Sequence, residues 1–354
     1  MTPVVLLTGF LGSGKTTLLQ RLLTDPGMAR AAVLINEYGE VGLDHHLLDR
    51  IDDNVVLLKS GCICCTVRGE VADALLNLQS LRAKGEIDFD RVVIETTGLA
   101  DPYPVLQTLT AHPVLRSHFR GGGVLTTVDA VNAGAQLNHR AEAVRQIAAA
   151  DRIVLTKTDL AEEAVVTALR TKLNRVNPAA RVVRSDAEVG EILGGLDDAG
   201  ADPGLTVEVP GEDRSGQAHD HRNDHDDDHG GHDHDHVHHH HHHHHDDSLG
   251  VVTFSLTVDQ PVDWTDFGIW LTLLLHRYGD RIFRVKGILS IAGEDRPVAI
   301  HGVQHLVHAP VHMTHWPEGP RVSRLVFILE GLDPARIRRS FNAFMRLDVA
   351  DVAA

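Results

Sequence analysis

The chain has 354 residues, 43% of them hydrophobic, and a formal charge of −16, which leaves room for two domains with real cores. Of that charge, −9 falls between Glu212 and Asp247, and the mildly acidic remainder of −7 has no basic stripe, so nucleic acid is excluded as a partner. No run approaches the ~20 apolar residues of a membrane span, and Pro3 to Leu7 is too short for a signal-peptide core, so the protein is expected to be cytoplasmic.

Taken in chain order, the first strand-like run is "PVVLLTG" (3–9), continued by "GFLGSGKTT". Gly9 to Thr16 satisfies G-x-x-x-x-G-K-[ST], after a strand and opening the helical "KTTLLQRLL", the context that a phosphate-binding loop requires. Gly9, Gly12 and Gly14 let backbone N–H groups close on phosphate oxygens, and Lys15 reaches the β/γ-phosphates. Thr16 ligates Mg2+, and the helix N-terminus adds its dipole. Ser13 and Thr17 complete the nucleotide-binding set.

The second run, "AAVLINE" (31–37), leads into "NEYGEVGLDHH" (36–46), where nucleotide-binding proteins carry a switch. Glu37 and Glu40 could reach Mg2+ or a second metal, depending on the γ-phosphate; an acidic surface turn is the plainer alternative, chiefly for Glu40. The third run, "NVVLLKSG" (54–61), ends at the chain's three cysteines, Cys62, Cys64 and Cys65. They are too close together to staple distant parts of a fold, which points to a reducing compartment. A turn before the next helix could gather the sulfurs, and a helix N-terminus favours thiolate. Buried small hydrophobes or a redox pair are the alternatives. Thiolate sulfur selects borderline ions, Zn2+ most commonly and Co2+ more weakly, and three sulfurs leave one tetrahedral position open.

A helical pattern over Val67 to Lys84 precedes "DRVVIET" (90–96), whose terminal acid Glu95 is placed to hold Mg2+ while Gly98 faces the γ-phosphate. Then come "GGVLTTVD" (122–129), a helix over Ala141 to Ala150, "DRIVLTKTD" (151–159) and "ARVVRSD" (180–186). In Thr156-Lys157-x-Asp159 the lysine stem would stack on a base and Asp159 would accept from guanine N1–H and N2–H2, favouring GTP. Thr156 stands where Asn is usual, so an amide contact is missing. The βα alternation with continuous apolar strands predicts an α/β fold with a mostly parallel sheet covered on both faces. The first domain is placed at residues 1–205.

Residues 206–249 form a His/Asp-rich linker holding fifteen of the 26 histidines. With almost nothing to bury it should be disordered. Imidazole and carboxylate at this density bind divalent metals loosely, so it reads as a metal buffer, an inert spacer being the alternative. From 250 to 350 strands such as "VVTFSLTVD" and "RVSRLVFILEG", with helices over Asp263 to Tyr278 and Pro334 to Arg346, predict a smaller α+β domain. His301, His305, His308, His312 and His315 lie in strands and a turn there, as a solvated face or as a docking or metal-relay group.

With "GFLGSGKTT", "NEYGEVGLD", "GCICC", "ETTGLADP", "TKTD" and "RVKGIL" in this order, the chain closely resembles the CobW-like family of P-loop GTPases, relatives of UreG and HypB. The resemblance covers nearly the whole chain. It implies slow, metal-stimulated GTP hydrolysis coupled to delivery of zinc, or of cobalt for cobalamin synthesis, to a client metalloprotein. A nucleotide-dependent dimer is a further option. It also implies tolerance of Thr156 in the base motif.

Overall fold

In the computed structural model the described residues are 1–35, 55–57, 67–196, 250–317 and 319–346. The expected Glu37, Glu40, Cys62, Cys64 and Cys65 sites, and the linker 206–249, lie outside them.

The first half builds one parallel sheet. Its strands are β1 (Thr2–Gly9), β2 (Ala31–Ile35), β3 (Val55–Leu57), β4 (Arg91–Glu95), β5 (Phe119–Asp129), β6 (Arg152–Thr156) and β7 (Arg181–Arg184), in the spatial order β3-β2-β4-β1-β5-β6-β7. Every expected strand of this half is present. β1, β2 and β6 are buried along their whole length, because helices cover both faces and leave no side for polar residues. The principal helices are α1 (Lys15–Leu23), α2 (Val67–Ala83), α3 (Tyr103–Ala111), α4 (Ala141–Ala149) and α5 (Glu163–Val176). One layer packs Leu75, Leu78 and Leu106 against Val4, Leu34 and Ile94; the other packs Leu18, Leu19 and Leu22 against Val5, Leu7 and Val33.

Register places the chemistry. Leu7 of β1 and Ile35 of β2 both align with Glu95, and Ile35 aligns with Leu57 of β3. The chain therefore leaves β1, β2, β3 and β4 at one sheet edge, the carboxyl edge where doubly wound sheets bind ligands.

The second half is an antiparallel sheet of β8 (Val251–Val258), β9 (Ile282–Leu289), β10 (Val298–Val303), β11 (Leu306–Val307), β12 (Val311–His312) and β13 (Ser323–Glu330). Helices α6 (Trp264–Tyr278) and α7 (Pro334–Met345) pack on it. Asp263 and Asp333 start them by accepting from the Thr265 and Asp266 amides and from the Ala335 amide, caps worth about 1 kcal/mol each. Trp270 lies edge-on to Phe341, ring centroids 4.9 Å apart.

The two halves meet through buried polar contacts. Arg284 of β9 donates to the carbonyl of Ala149 and pairs with Asp151, while Lys286 Nζ lies 3.7 Å from Asp151. Thr253 donates to the carbonyl of Val176 at 2.8 Å.

The five histidines expected to act together are not one solvated face. His301 is only 6% exposed. It faces the interface, while His305, His312 and His315 are exposed. Alternation along β10 decides this, since residue 301 shares the inward face with 299 and 303. Among the described residues, no group of three or more His, Cys, Asp or Glu side chains is arranged to hold a metal.

Candidate nucleotide and metal site

The loop after β1 turns on three glycines with positive φ: 143° at Gly9, 71° at Gly12 and 84° at Gly14. Gly9 also has no room for a side chain, because a Cβ would meet the Thr127 carbonyl oxygen at 2.5 Å and Ser13 Oγ at 2.6 Å. α1 then starts at Lys15, with Gly14 as its left-handed N-cap. No side chain caps this end, so its first amides face outward as an anion site.

Neighbouring strands hold the loop's shape. Ser13 Oγ shares a 2.6 Å hydrogen bond with Thr127 Oγ1 of β5. Thr156 of β6 donates to the Ser13 carbonyl at 2.8 Å and to the Val128 carbonyl at 3.3 Å. Lys15 Nζ donates to the carbonyls of Gly9 at 3.0 Å and Phe10 at 3.3 Å, which folds the cation back over the loop. Thr17 is exposed one position after Thr16 on α1.

Thr16 and Glu95, 79 residues apart, meet: Thr16 Oγ1 donates to Glu95 Oε1 at 2.7 Å. Glu95 is buried at the end of β4. A hydroxyl and a carboxylate side by side at a phosphate loop form the hard-oxygen pair that Mg2+ takes together with nucleotide oxygens, so the residues fit that ion. Beyond β4, Gly98 lies against the loop; a Cβ there would meet the Leu11 backbone at 2.7 Å.

At the other end of the loop, Lys157 has φ 56° and its Nζ is 2.7 Å from Asp129 Oδ2. Asp129 also accepts from Asn132 Nδ2 and from the amides of Val131 and Asn132. Burial works to raise this carboxyl, but the bonds from Lys157, Asn132 and the two amides outweigh it and keep Asp129 below its ordinary value. The ion pair fixes the lysine stem beside exposed Asp159, which sits on the turn Thr158–Leu160. Sequence reading missed Asp129 and Asn132. An acid closing "LTTVD" repeats no spacing, and only its place beside β6 reveals the role. Thr156, expected at the base, instead spends its hydroxyl on the phosphate loop.

Together the parallel sheet, the glycine loop opening α1 and the Thr16–Glu95 pair define a P-loop nucleotide-binding protein. Residues 3–184 match the family described as CobW/HypB/UreG, nucleotide-binding domain, and residues 251–345 match the cobalamin synthesis protein cobW C-terminal domain. The chain belongs to this family. It is 36% identical over 344 residues to the zinc chaperone YjiA of Escherichia coli (strain K12), covering 96% of this chain and 97% of that one. Over 202 residues it is 36% identical to zinc-regulated GTPase metalloprotein activator 1 of Schizosaccharomyces pombe, covering 54% of this chain and 48% of the relative. The crystal structure of Zn(II)-bound YjiA GTPase from E. coli superposes with a TM-score of 0.71 at 30% identity, covering 97% of this chain and 99% of that one.

Proposed function

We propose that this chain hydrolyses GTP and uses the cycle to load and release Zn2+ for a client metalloprotein. The observation that carries the reading is the Thr16–Glu95 pair at 2.7 Å beside the phosphate loop, on the sheet edge where β2 and β3 also end. The chain leaves those two strands toward Glu37 and Glu40 and toward Cys62, Cys64 and Cys65.

The amides of Gly12, Ser13 and Gly14 would cradle the phosphates while Lys15 neutralises the β/γ oxygens. Gly98 would offer its N–H to the γ-phosphate. Thr16 and Glu95 would hold Mg2+, which would supply neutralisation of the charge developing on the phosphates. Lys157, held by Asp129, would lay its stem on guanine while Asp159 accepts from N1–H and N2–H2. Cys62, Cys64 and Cys65 would hold zinc as thiolates, with Glu37 or Glu40 as the group that answers to the γ-phosphate. Three cysteines within four positions, too close together to staple a fold, suit a reducing compartment, the cytoplasm. The relatives named as zinc chaperone and metalloprotein activator support a client protein as partner, and the His/Asp-rich composition of 206–249 supports domains over residues 1–205 and 250–350.

Zinc titrations with a GTP analogue, with GDP and without nucleotide test the reading. Reciprocal linkage of ~1–3 kcal/mol predicts tighter zinc with the analogue than with GDP by about 5–150-fold. Replacing Cys64 and Cys65 with Ala should abolish the tight site and metal stimulation while leaving GTP binding near normal. Equal zinc affinity in all three states would instead leave a metal-storage protein in which nucleotide is structural.

A further inference from the structure

The segment Gly98–Asp101, just beyond Glu95, is held from two sides. On one side is Gln146 of α4, 1% exposed, whose Nε2 donates to the carbonyls of Gly98 at 3.2 Å and Ala100 at 3.0 Å. Both amide hydrogens are used there, and its Oε1 has no hydrogen-bond partner. Among the described residues, the side chain's hydrogen bonds all go to this segment. α4 itself is fixed at its far end. Asn177 Nδ2 donates to the carbonyls of Ile147, Ala148 and Ala150, and Arg284 of β9 donates to that of Ala149.

On the other side is the C-terminal domain. Asp101 accepts from the Tyr103 amide through Oδ1 at 2.9 Å, starting α3, and from Gln304 Nε2 through Oδ2 at 3.3 Å. Gln304 opens the two-residue turn between β10 and β11 and has φ 51°, a left-handed conformation that few residues other than glycine adopt. Such an outlier persists where its surroundings over-determine it. Here they do: Val303 and Leu306 on either side of the turn pack into the apolar layer containing Tyr103 and Leu106, and the rings of Tyr103 and His305 lie 6.3 Å apart. The turn is plugged into the nucleotide-binding half at the start of α3.

We infer that Gln304 and Asp101 are positioning residues for GTP hydrolysis, through which the C-terminal domain holds the Gly98 segment in place and responds to the nucleotide bound there. This rests on the GTPase reading above. Gly98 touches the phosphate loop at Leu11, with no space between them, so a γ-phosphate that draws its N–H inward must pull on the same short segment that Asp101 ends. Gln146 holds the segment from one side and the Gln304 turn holds it from the other. Because linkage is reciprocal, whatever shifts that turn shifts Gly98.

The experiment is a double-mutant cycle with two single variants chosen to preserve local structure. Gln304→Gly keeps the left-handed turn and removes the amide. Asp101→Ser keeps a helix-capping oxygen for the Tyr103 amide and loses the reach to Gln304. Each should lower kcat for GTP about 3–10-fold with KM within about twofold, and the double variant should be no worse than either single, as expected for one shared contact. A second readout follows hydrogen exchange of residues 303–306 with a GTP analogue and with GDP. Wild type should protect the turn differently in the two states, and Asp101→Ser should erase the difference. Unchanged or raised kcat in the singles, multiplying losses in the double, or equal protection in both states would overturn the inference. Lys15→Ala separates the two readings: if wild type shows no turnover above that variant, the GTPase reading has failed, and the exchange comparison still judges the coupling.

Discussion

Lys15 illustrates how far a single residue could be read from the chain. The motif alone placed it at the phosphates, because the spacing from Gly9 is dictated by how many amides must wrap an oxygen. The folded chain adds that its ammonium bridges the carbonyls of Gly9 and Phe10, within reach of an incoming phosphate. Lys15→Ala should leave the fold intact, since the side chain is only partly buried. It should cut GTP affinity and turnover by about 100-fold or more, the scale on which removing one electrostatic stabiliser acts. Turnover within about threefold of wild type, measured by phosphate release, would defeat the P-loop assignment. Asp129 and Thr156 were not legible in this way. Their roles come from lateral neighbours, β5 beside β6 and β6 beside the loop, and no short spacing in a sequence records which strands are adjacent.

Strands and helices were far more legible than sites. Continuous apolar runs such as Val4 to Leu7 and Ile153 to Leu155 have to be covered on both faces, which forces helices between them and fixes a parallel sheet. The histidines of residues 301–315 were legible as lying in strands and a turn; that His301 of β10 is buried while His312 of β12 is exposed was not, because that depends on which strand faces the other domain. The His/Asp-rich stretch also has an element-scale consequence. Contacts between the two folded halves include those of Arg284, Lys286 and Gln304, all well beyond that stretch in sequence, while Thr253 lies shortly after its end. Deleting Gln217 to Asp247 should therefore leave basal GTP turnover within about twofold of wild type and leave one tight zinc site. Several weak metal equivalents should disappear, and in wild type these should weaken below the unperturbed imidazole pKa of ~6.5 as protons compete for the ligand nitrogens. Metal titration of the deletion variant decides it: loss of the tight site would mean that the cargo is bound in the stretch and not by Cys62, Cys64 and Cys65.

At the scale of the whole molecule, the attachment of the two halves carries its own pH dependence. Asp151, at the start of β6, accepts from the Val124 amide and faces Arg284, Lys286, His301 and His308. Burial pushes its carboxyl up, but Arg284 and then Lys286 pull harder and hold it well below the usual carboxylate range. Its stabilising effect is thus complete above the unfolded value of ~3.9 and fades only below it. His301 behaves differently. Burial first, then the cations of Lys286 and Arg284, outweigh the attraction of Asp151 and lower it to about 3. His308, beside it, is also lowered, chiefly by burial. Among the described residues the Nε2 of His301 has no hydrogen-bond partner and the ring borders an interdomain cavity of about 360 Å3, so Asp151 alone favours protonation and does not outweigh burial and the two cations. A histidine kept neutral in the folded state costs nothing above ~6.5, where the unfolded ring is neutral as well. Below that pH the unfolded state binds a proton that the folded state refuses, so stability falls as the pH falls. Between pH 7.5 and 5.5, wild type should therefore lose more stability than His301→Gln, by on the order of 1 kcal/mol, while Asp151 contributes nothing to the difference in that window. Urea unfolding at the two pH values, followed by tryptophan fluorescence from buried Trp270, reads it directly. Equal losses in wild type and variant would mean that His301 takes up its proton without disturbing the interface.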